Sequence, residues 1–332
     1  MFELLNQRPE LAELLRQELD DVTSIFEEQL TSDIPAVSEL CVHINRYRGK
    51  MLRPTLLLVS SLGCNTTYLK DKKGLTKKHR IVAAVTEMIH MATLVHDDVL
   101  DLAQMRRNGP TINEQNGNQT AVMFGDYLIS NAFHLCSKAG DPSINLRLGD
   151  VTNTLCEGEL IQLSHRDDVT ISEETYFQII SKKTASLIGA CCELGAILAG
   201  APDNVVKAMW QFGCSLGIAF QIRDDLLDLM GEQELLGKHP GKDMDAGEFT
   251  LPLIDYFGHT PESQQAPMMA HLRSGDAVAV RSELLASRSV DRSMERAAAF
   301  VQNAKDQLDV LDDSDARLLL SEIADQVIVR TS

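Results

Sequence analysis

An apolar, proline-free run from Ile81 to Leu102 closes on Asp97-Asp98-Val99-Leu100-Asp101. No surface helix needs so many apolar residues, so the run belongs in a core, where three carboxylates are costly to place. On an α-helix, residues four apart are offset by only about 40° around the axis. Asp97 and Asp101 therefore share a face and repel each other unless a cation lies between them. Mg²⁺ suits the role, because it takes oxygen ligands, usually one or two carboxylates together with substrate phosphates. For one such stretch alone, a capped or solvated acidic helix end is the ordinary alternative.

The device recurs. Asp224-Asp225-Leu226-Leu227-Asp228 follows a second apolar run, Phe212 to Ile222, and each cluster is followed by Leu, at 102 and at 229. Two clusters of identical spacing predict two helices facing across one cavity and sharing metal ions. Basic residues trail both, Arg106 and Arg107 after the first, Lys238 and Lys242 after the second. Metal with paired cations is the chemistry of a diphosphate.

The stretches 55–109, 143–201, 203–239 and 268–332 contain no proline. Long runs of this kind with 3.6-residue periodicity predict helices throughout. Aromatic residues make up only 5% of a chain that is 44% apolar, which suits a helical core better than a β-sandwich. Nothing marks a boundary, so residues 1–332 are expected to form one all-α bundle with its site in a central cavity between helices. Residues 9–31 read as an amphipathic packing helix, 65–80 as a solvated basic connection, and 164–173, with Asp167-Asp168, as a loop before a helix. Helices are expected at about 279–310 and 314–329.

A formal charge of −17 argues against a nucleic-acid partner, since phosphate backbones demand a basic surface. An anionic substrate must then be met by local cations and metal. The seven cysteines are odd in number, lack a CxxC pair and lie mostly among apolar residues, as reduced core cysteines do. No basic segment precedes an apolar stretch at the N-terminus, and no apolar run reaches the roughly 18 residues of a transmembrane span, so a cytoplasmic location is expected.

Motifs in one order fill most of the chain: Gly49-Lys50-Met51-Leu52-Arg53-Pro54, Glu87-Met88-Ile89-His90, the first aspartate cluster, Arg106-Arg107, Pro110-Thr111 and Gly125-Asp126-Tyr127. Gly158-Glu159 with Gln162, Lys183-Thr184, Phe220-Gln221, the second cluster, Gly237-Lys238, Asp243 and Thr250-Leu251-Pro252 follow. In these the chain resembles the trans-isoprenyl (polyprenyl) diphosphate synthases, with their two DDxxD motifs, and most of all the long-chain octaprenyl and heptaprenyl type. The resemblance implies repeated head-to-tail condensation of isopentenyl diphosphate with an allylic diphosphate, farnesyl or geranylgeranyl, to an all-trans polyprenyl diphosphate. It implies three Mg²⁺ ions per active site with substrate bound, and a homodimer. Asp97, Asp101 and Asp224 would be direct ligands, with Asp98, Asp225 and Asp228 holding waters or supporting them. Lys183, Lys238 and Arg106 would grip the allylic diphosphate. Lys50, Arg53 and Arg107, with His90 as donor, would hold isopentenyl diphosphate. Thr184 and Gln221 would turn oxygen dipoles toward the carbocation, and the released diphosphate would take the proton. Glu248 and Asn108 depart from the usual pattern after the glycine and after the arginine pair.

A class I terpene cyclase shares one DDxxD cluster, but its second metal site follows an NSE-type pattern absent here. A non-catalytic subunit of a heteromeric synthase would have lost acids or the arginine pair, and this chain keeps them. In short-chain relatives a Phe or Tyr four or five residues before the first motif forms the floor that stops elongation. Here those positions are Thr93 and Ala92, with Ile89 a further turn up. An open floor predicts a product longer than farnesyl, most of all of the hexaprenyl to decaprenyl class, with Phe124 and Phe133 as candidates for where the tunnel ends.

Overall fold

The computed structural model describes residues 7–65, 75–107, 109–230 and 242–329. Lys238, Asn108 and most of the basic 65–80 stretch lie outside them. The described chain is helical, as its proline-free runs predict, and packs as two compact units.

The first unit is built from residues 1–152, 190–210 and 309–320. Helices α1 (Pro9–Gln29), α2 (Pro35–Ile44), α3 (Leu52–Cys64) and α4 (Lys77–Leu100) come first. A two-residue hairpin, β1 (Met105–Arg106) against β2 (Gly109–Pro110), precedes α5 (Ile112–Asn116) and α6 (Asn118–Ser137). Helix α4 is the hub: α1, α3 and α6 all pack on it. Its residues from Ile81 to Ile89 are buried on every side, which is why this stretch shows no polar face in sequence. Helix α1 is the amphipathic one, burying Leu11, Leu15, Leu19, Val22 and Phe26 at steps of three and four. Arg80 of α4 forks onto the buried Glu18 of α1 at 2.7 and 2.8 Å.

Helix α7 (Pro142–Ser164) follows, then α8 (Glu173–Ile180), a π-helical turn Ser181–Ala185, α9 (Ser186–Leu198) and α10 (Asp203–Met230). The second unit holds residues 153–189, 211–308 and 321–332. It contains α11 (Lys242–Asp245), α12 (Leu251–His259), α13 (Ala266–Ser274), α14 (Ala277–Ala286) and α15 (Ser289–Gln307). The last helix is α16 (Asp315–Val329). One apolar cluster gathers Tyr176, Ile180, Ile222, Leu226, Leu251 and Ala297. A second gathers Leu229, Leu253, Tyr256, Met268, Val280 and Leu284.

Two expectations need correction. The helix expected over 279–310 is two helices, broken at Ser287-Arg288, because the Ser287 hydroxyl accepts the Ser289 N–H at 3.1 Å and so competes with the helical ladder. Cys156 is exposed, whereas Cys41, Cys136, Cys191 and Cys192 are buried free thiols.

Candidate active site

The first acidic cluster ends α4. Ala103 N–H returns to Asp98 O at 2.9 Å and Leu102 N–H to Val99 O at 3.4 Å, with Leu102 left-handed at φ 50°. This is the pattern of a Schellman stop, with leucine where glycine is usual. The cluster therefore lies at the helix terminus whose free carbonyls already carry negative charge, the end that attracts cations and disfavours carboxylates. Its three members divide the work. Asp98 is 1% exposed, with Oδ1 held by Arg106 Nε at 2.9 Å and Nη2 at 2.8 Å. Asp97 is half-buried and Asp101 exposed.

Around the same helix stand the residues expected to meet isopentenyl diphosphate. Burial, together with the charges of Arg53, Arg106 and Arg107, holds the His90 imidazole well below its usual range, so it is neutral at pH 7. Glu87, one turn earlier, is 3% exposed; burial raises its carboxyl while Arg53, Arg107 and Arg48 pull it back down. Arg53 Nε and Glu87 Oε2 are buried without a hydrogen-bond partner. The Arg107 guanidinium lies against Gly49, where a Cβ would stand 2.5 Å from Nη2, so the glycine of the Gly49–Pro54 element makes room for a cation. Lys50 is exposed. The structure thus brings Arg53, His90, Arg106 and Arg107 into one electrostatic neighbourhood.

The second cluster lies in the last two turns of α10, again at a helix C-terminus. The division repeats. Asp225 is 5% exposed, with Oδ2 accepting from Tyr176 Oη at 2.6 Å and Oδ1 from Gln221 Nε2 at 2.8 Å. Asp224 is exposed and Asp228 half-buried, the latter accepting Asp243 N–H at 3.2 Å. Asp225, Asp228, Asp243 and Glu248 line one pocket with Met244, Phe249 and Thr250. Burial, opposed by the hydrogen bonds of Tyr176 and Gln221 and reinforced by Asp224 and Glu248, pushes the Asp225 carboxyl up to about 7. Asp243 is raised as well, by burial and then by Asp225, Asp228, Glu248 and Asp224. So many carboxylates in one pocket suit a divalent cation. Among the described residues no three carboxylate, His or Cys side chains are grouped so as to hold a metal ion by themselves.

The expected catalytic pair sits at the π-turn. Thr184 Oγ1 donates to Gln221 Oε1 at 2.8 Å, and Lys183 pairs with Glu159 at 2.7 Å. Glycines make the turn possible. A Cβ on Gly158 would meet Lys183 N at 2.6 Å, and one on Gly217 would meet Ala185 Cα at 2.6 Å. Of the chain-length residues, Ala92 and Ile89 are fully buried and Thr93 is half-buried, its hydroxyl donating to His90 O at 2.8 Å. Phe124 is buried on α6 and Phe133 half-buried. Sequence reading missed Tyr176 and Glu159 as partners of site residues, and Glu87 as the acid among the arginines. Glu87 and Glu159 stand within the ordered motifs, which do not show their partners, and Tyr176 leaves only a tyrosine in an otherwise apolar helical stretch.

The polyprenyl synthetase family model matches residues 34–285. The octaprenyl diphosphate synthase of Haemophilus influenzae is 33% identical over 319 residues, covering 95% of this chain and 94% of its own. Component 2 of the heptaprenyl diphosphate synthase of Bacillus subtilis is 32% identical, covering 93% and 87%. A polyprenyl synthase from Caulobacter crescentus CB15, solved with calcium and isoprenyl diphosphate, superposes with a TM-score of 0.88 at 30% identity over 98% of both chains. The match spans most of the chain and both acidic helix ends, and the chain belongs to the polyprenyl synthetase family and is a prenyltransferase, a trans-prenyl diphosphate synthase.

Proposed function

We propose that the chain extends farnesyl or geranylgeranyl diphosphate with isopentenyl diphosphate, in repeated all-trans additions, to a product longer than farnesyl. The observation that carries the reading is the shared division of labour. In each cluster the second aspartate is buried and tethered, Asp98 by Arg106 and Asp225 by Tyr176 and Gln221, while the first and third are left more exposed at a helix C-terminus. Asp97, Asp101 and Asp224 would hold Mg²⁺, with Asp228 supporting. The ion's contribution is to stabilise the negative charge that develops on the leaving diphosphate.

Lys183 and Arg106 exchange Glu159 and Asp98 in part for the diphosphate oxygens, and Lys238, outside the described residues, completes the grip. Arg53, Arg107 and Lys50 hold isopentenyl diphosphate by charge-assisted hydrogen bonds. Neutral His90 donates one N–H to it. Thr184 and Gln221 offer oxygen dipoles to the allylic cation. The clusters work as parts of one catalytic domain, in a homodimer in the cytoplasm. Product names among the relatives run from geranylgeranyl to decaprenyl, so kinship alone leaves length open. The small side chain at Ala92 favours the long end. The test is incubation with labelled isopentenyl diphosphate, farnesyl diphosphate and Mg²⁺, followed by chromatography. A ladder ending beyond farnesyl supports the proposal; a cyclised hydrocarbon or no incorporation refutes it.

A further inference from the structure

Tyr176 is buried in α8, 4% exposed, its ring packed with Ile180, Ile222, Leu226 and Leu251 and set edge-on to Phe177 at 5.4 Å. Nothing about that apolar setting needs a hydroxyl. Yet its Oη donates to Asp225 Oδ2 at 2.6 Å, and a chain of hydrogen bonds runs on from there. Gln221 Nε2 donates to Asp225 Oδ1 at 2.8 Å, and Thr184 Oγ1 donates to Gln221 Oε1 at 2.8 Å.

The direction of this chain follows from which groups can give a proton. Both oxygens of Asp225 act as acceptors, Oδ2 from the Tyr176 phenol and Oδ1 from the Gln221 amide, so Gln221 turns its nitrogen toward Asp225 and its carbonyl toward Thr184. That carbonyl takes the single proton of the Thr184 hydroxyl. A threonine hydroxyl has one proton and two lone pairs. With the proton committed, Thr184 can meet anything else only as an acceptor, with the negative end of its dipole. The phenol is fixed as a donor at the head of the chain. Its burial and the neighbouring Asp225 raise it well above the usual tyrosine range.

We propose that Tyr176 is a positioning residue that sets the polarity of Thr184 through Asp225 and Gln221. This rests on the reading above that Thr184 faces an allylic cation. Without the phenol, Asp225 Oδ2 loses its donor, the carboxyl can rotate, and Gln221 can reverse. The Thr184 proton is then free to point at the developing positive charge, which destabilises it.

The test is a double-mutant cycle on the full chain, using Tyr176→Phe, Thr184→Val and the pair together. kcat, both KM values and the half-saturating Mg²⁺ concentration are measured with farnesyl and isopentenyl diphosphates, alongside the thermal midpoint. Phenylalanine keeps the ring, so the core stays filled. Tyr176→Phe is expected to lower kcat about tenfold, the scale of a lost supporting hydrogen bond. Both KM values and the Mg²⁺ requirement stay within about twofold, and the change adds nothing in the Thr184→Val background, since residues acting as a unit are non-additive. Full kcat in Tyr176→Phe overturns the proposal, as does a loss that adds to that of Thr184→Val or is recovered by more Mg²⁺. In those cases the wild type still makes prenyl product and the enzymatic reading survives. A wild-type chain making none overturns both.

Discussion

Asp98 and Asp101 stand three residues apart in one motif, yet their surroundings give them different jobs. Asp98 is buried and forked by Arg106, whose own side chain is a quarter exposed, while Asp101 caps the helix in solvent. Removing one partner of a buried pair strands the other charge and costs several kcal/mol, less where solvent reaches it. Asp98→Ala should therefore destabilise the fold by about 2–3 kcal/mol, and Asp101→Ala should leave stability within about 1 kcal/mol, by denaturant unfolding. Equal losses would contradict the division. The sequence made the three carboxylates legible because their charges interrupt an apolar run. It could not say which one turns inward, since that depends on Arg106 folding back through the β1–β2 hairpin. Nor could it show Lys183 held by Glu159, because a 24-residue separation carries no local signal.

Elements were legible wherever long uninterrupted runs set them. Ends were less so. The break at Ser287-Arg288 depends on a serine that is tolerated inside helices as well as at their ends, and the π-turn at Ser181–Ala185 depends on glycines from two other helices. The start of α4 carries its own chemistry. Thr76 N–H donates to His79 Nδ1 at 3.2 Å, with the Thr76 hydroxyl 2.8 Å from the same nitrogen, so a proton there would displace the cap. Burial, then Arg80 and Lys78, bring His79 from 6.5 down to about 4. A folded value below the unfolded one means that the unfolded chain takes the proton first as pH falls. The contribution is complete above pH 6.5 and is lost between there and 4, amounting to about 3 kcal/mol. His79→Asn keeps an acceptor near the Nδ1 position and does not titrate. The stability of wild type minus that of His79→Asn should fall by this amount from pH 7 to 4; a flat difference would show that His79 takes its proton as readily in the fold as in the unfolded chain.

At the scale of the whole molecule, the helical class and the family were legible because the same aspartate cluster occurs twice in a chain with no strand signal. No described helix is long and apolar enough to cross a membrane. Product length is a property of a volume walled by several helices, so no single stretch encodes it. Ala92→Phe should shorten the product toward farnesyl with activity retained, since it adds a ring at a buried position and removes no ligand. An unchanged product distribution would place Ala92 away from the growing chain. Light scattering at micromolar concentration should give twice the 36.7 kDa chain mass, and a monomer would remove the dimer from the account. The central claim is that both acidic helix ends serve one metal-dependent ionisation. The rates of Asp97→Ala and Asp224→Ala with farnesyl diphosphate, isopentenyl diphosphate and saturating Mg²⁺ test it most directly. Each substitution should cut turnover far more than tenfold while the protein stays folded; a variant keeping more than about a tenth of the wild-type rate, a loss under about 1.4 kcal/mol of transition-state stabilisation, would contradict the assignment of that cluster.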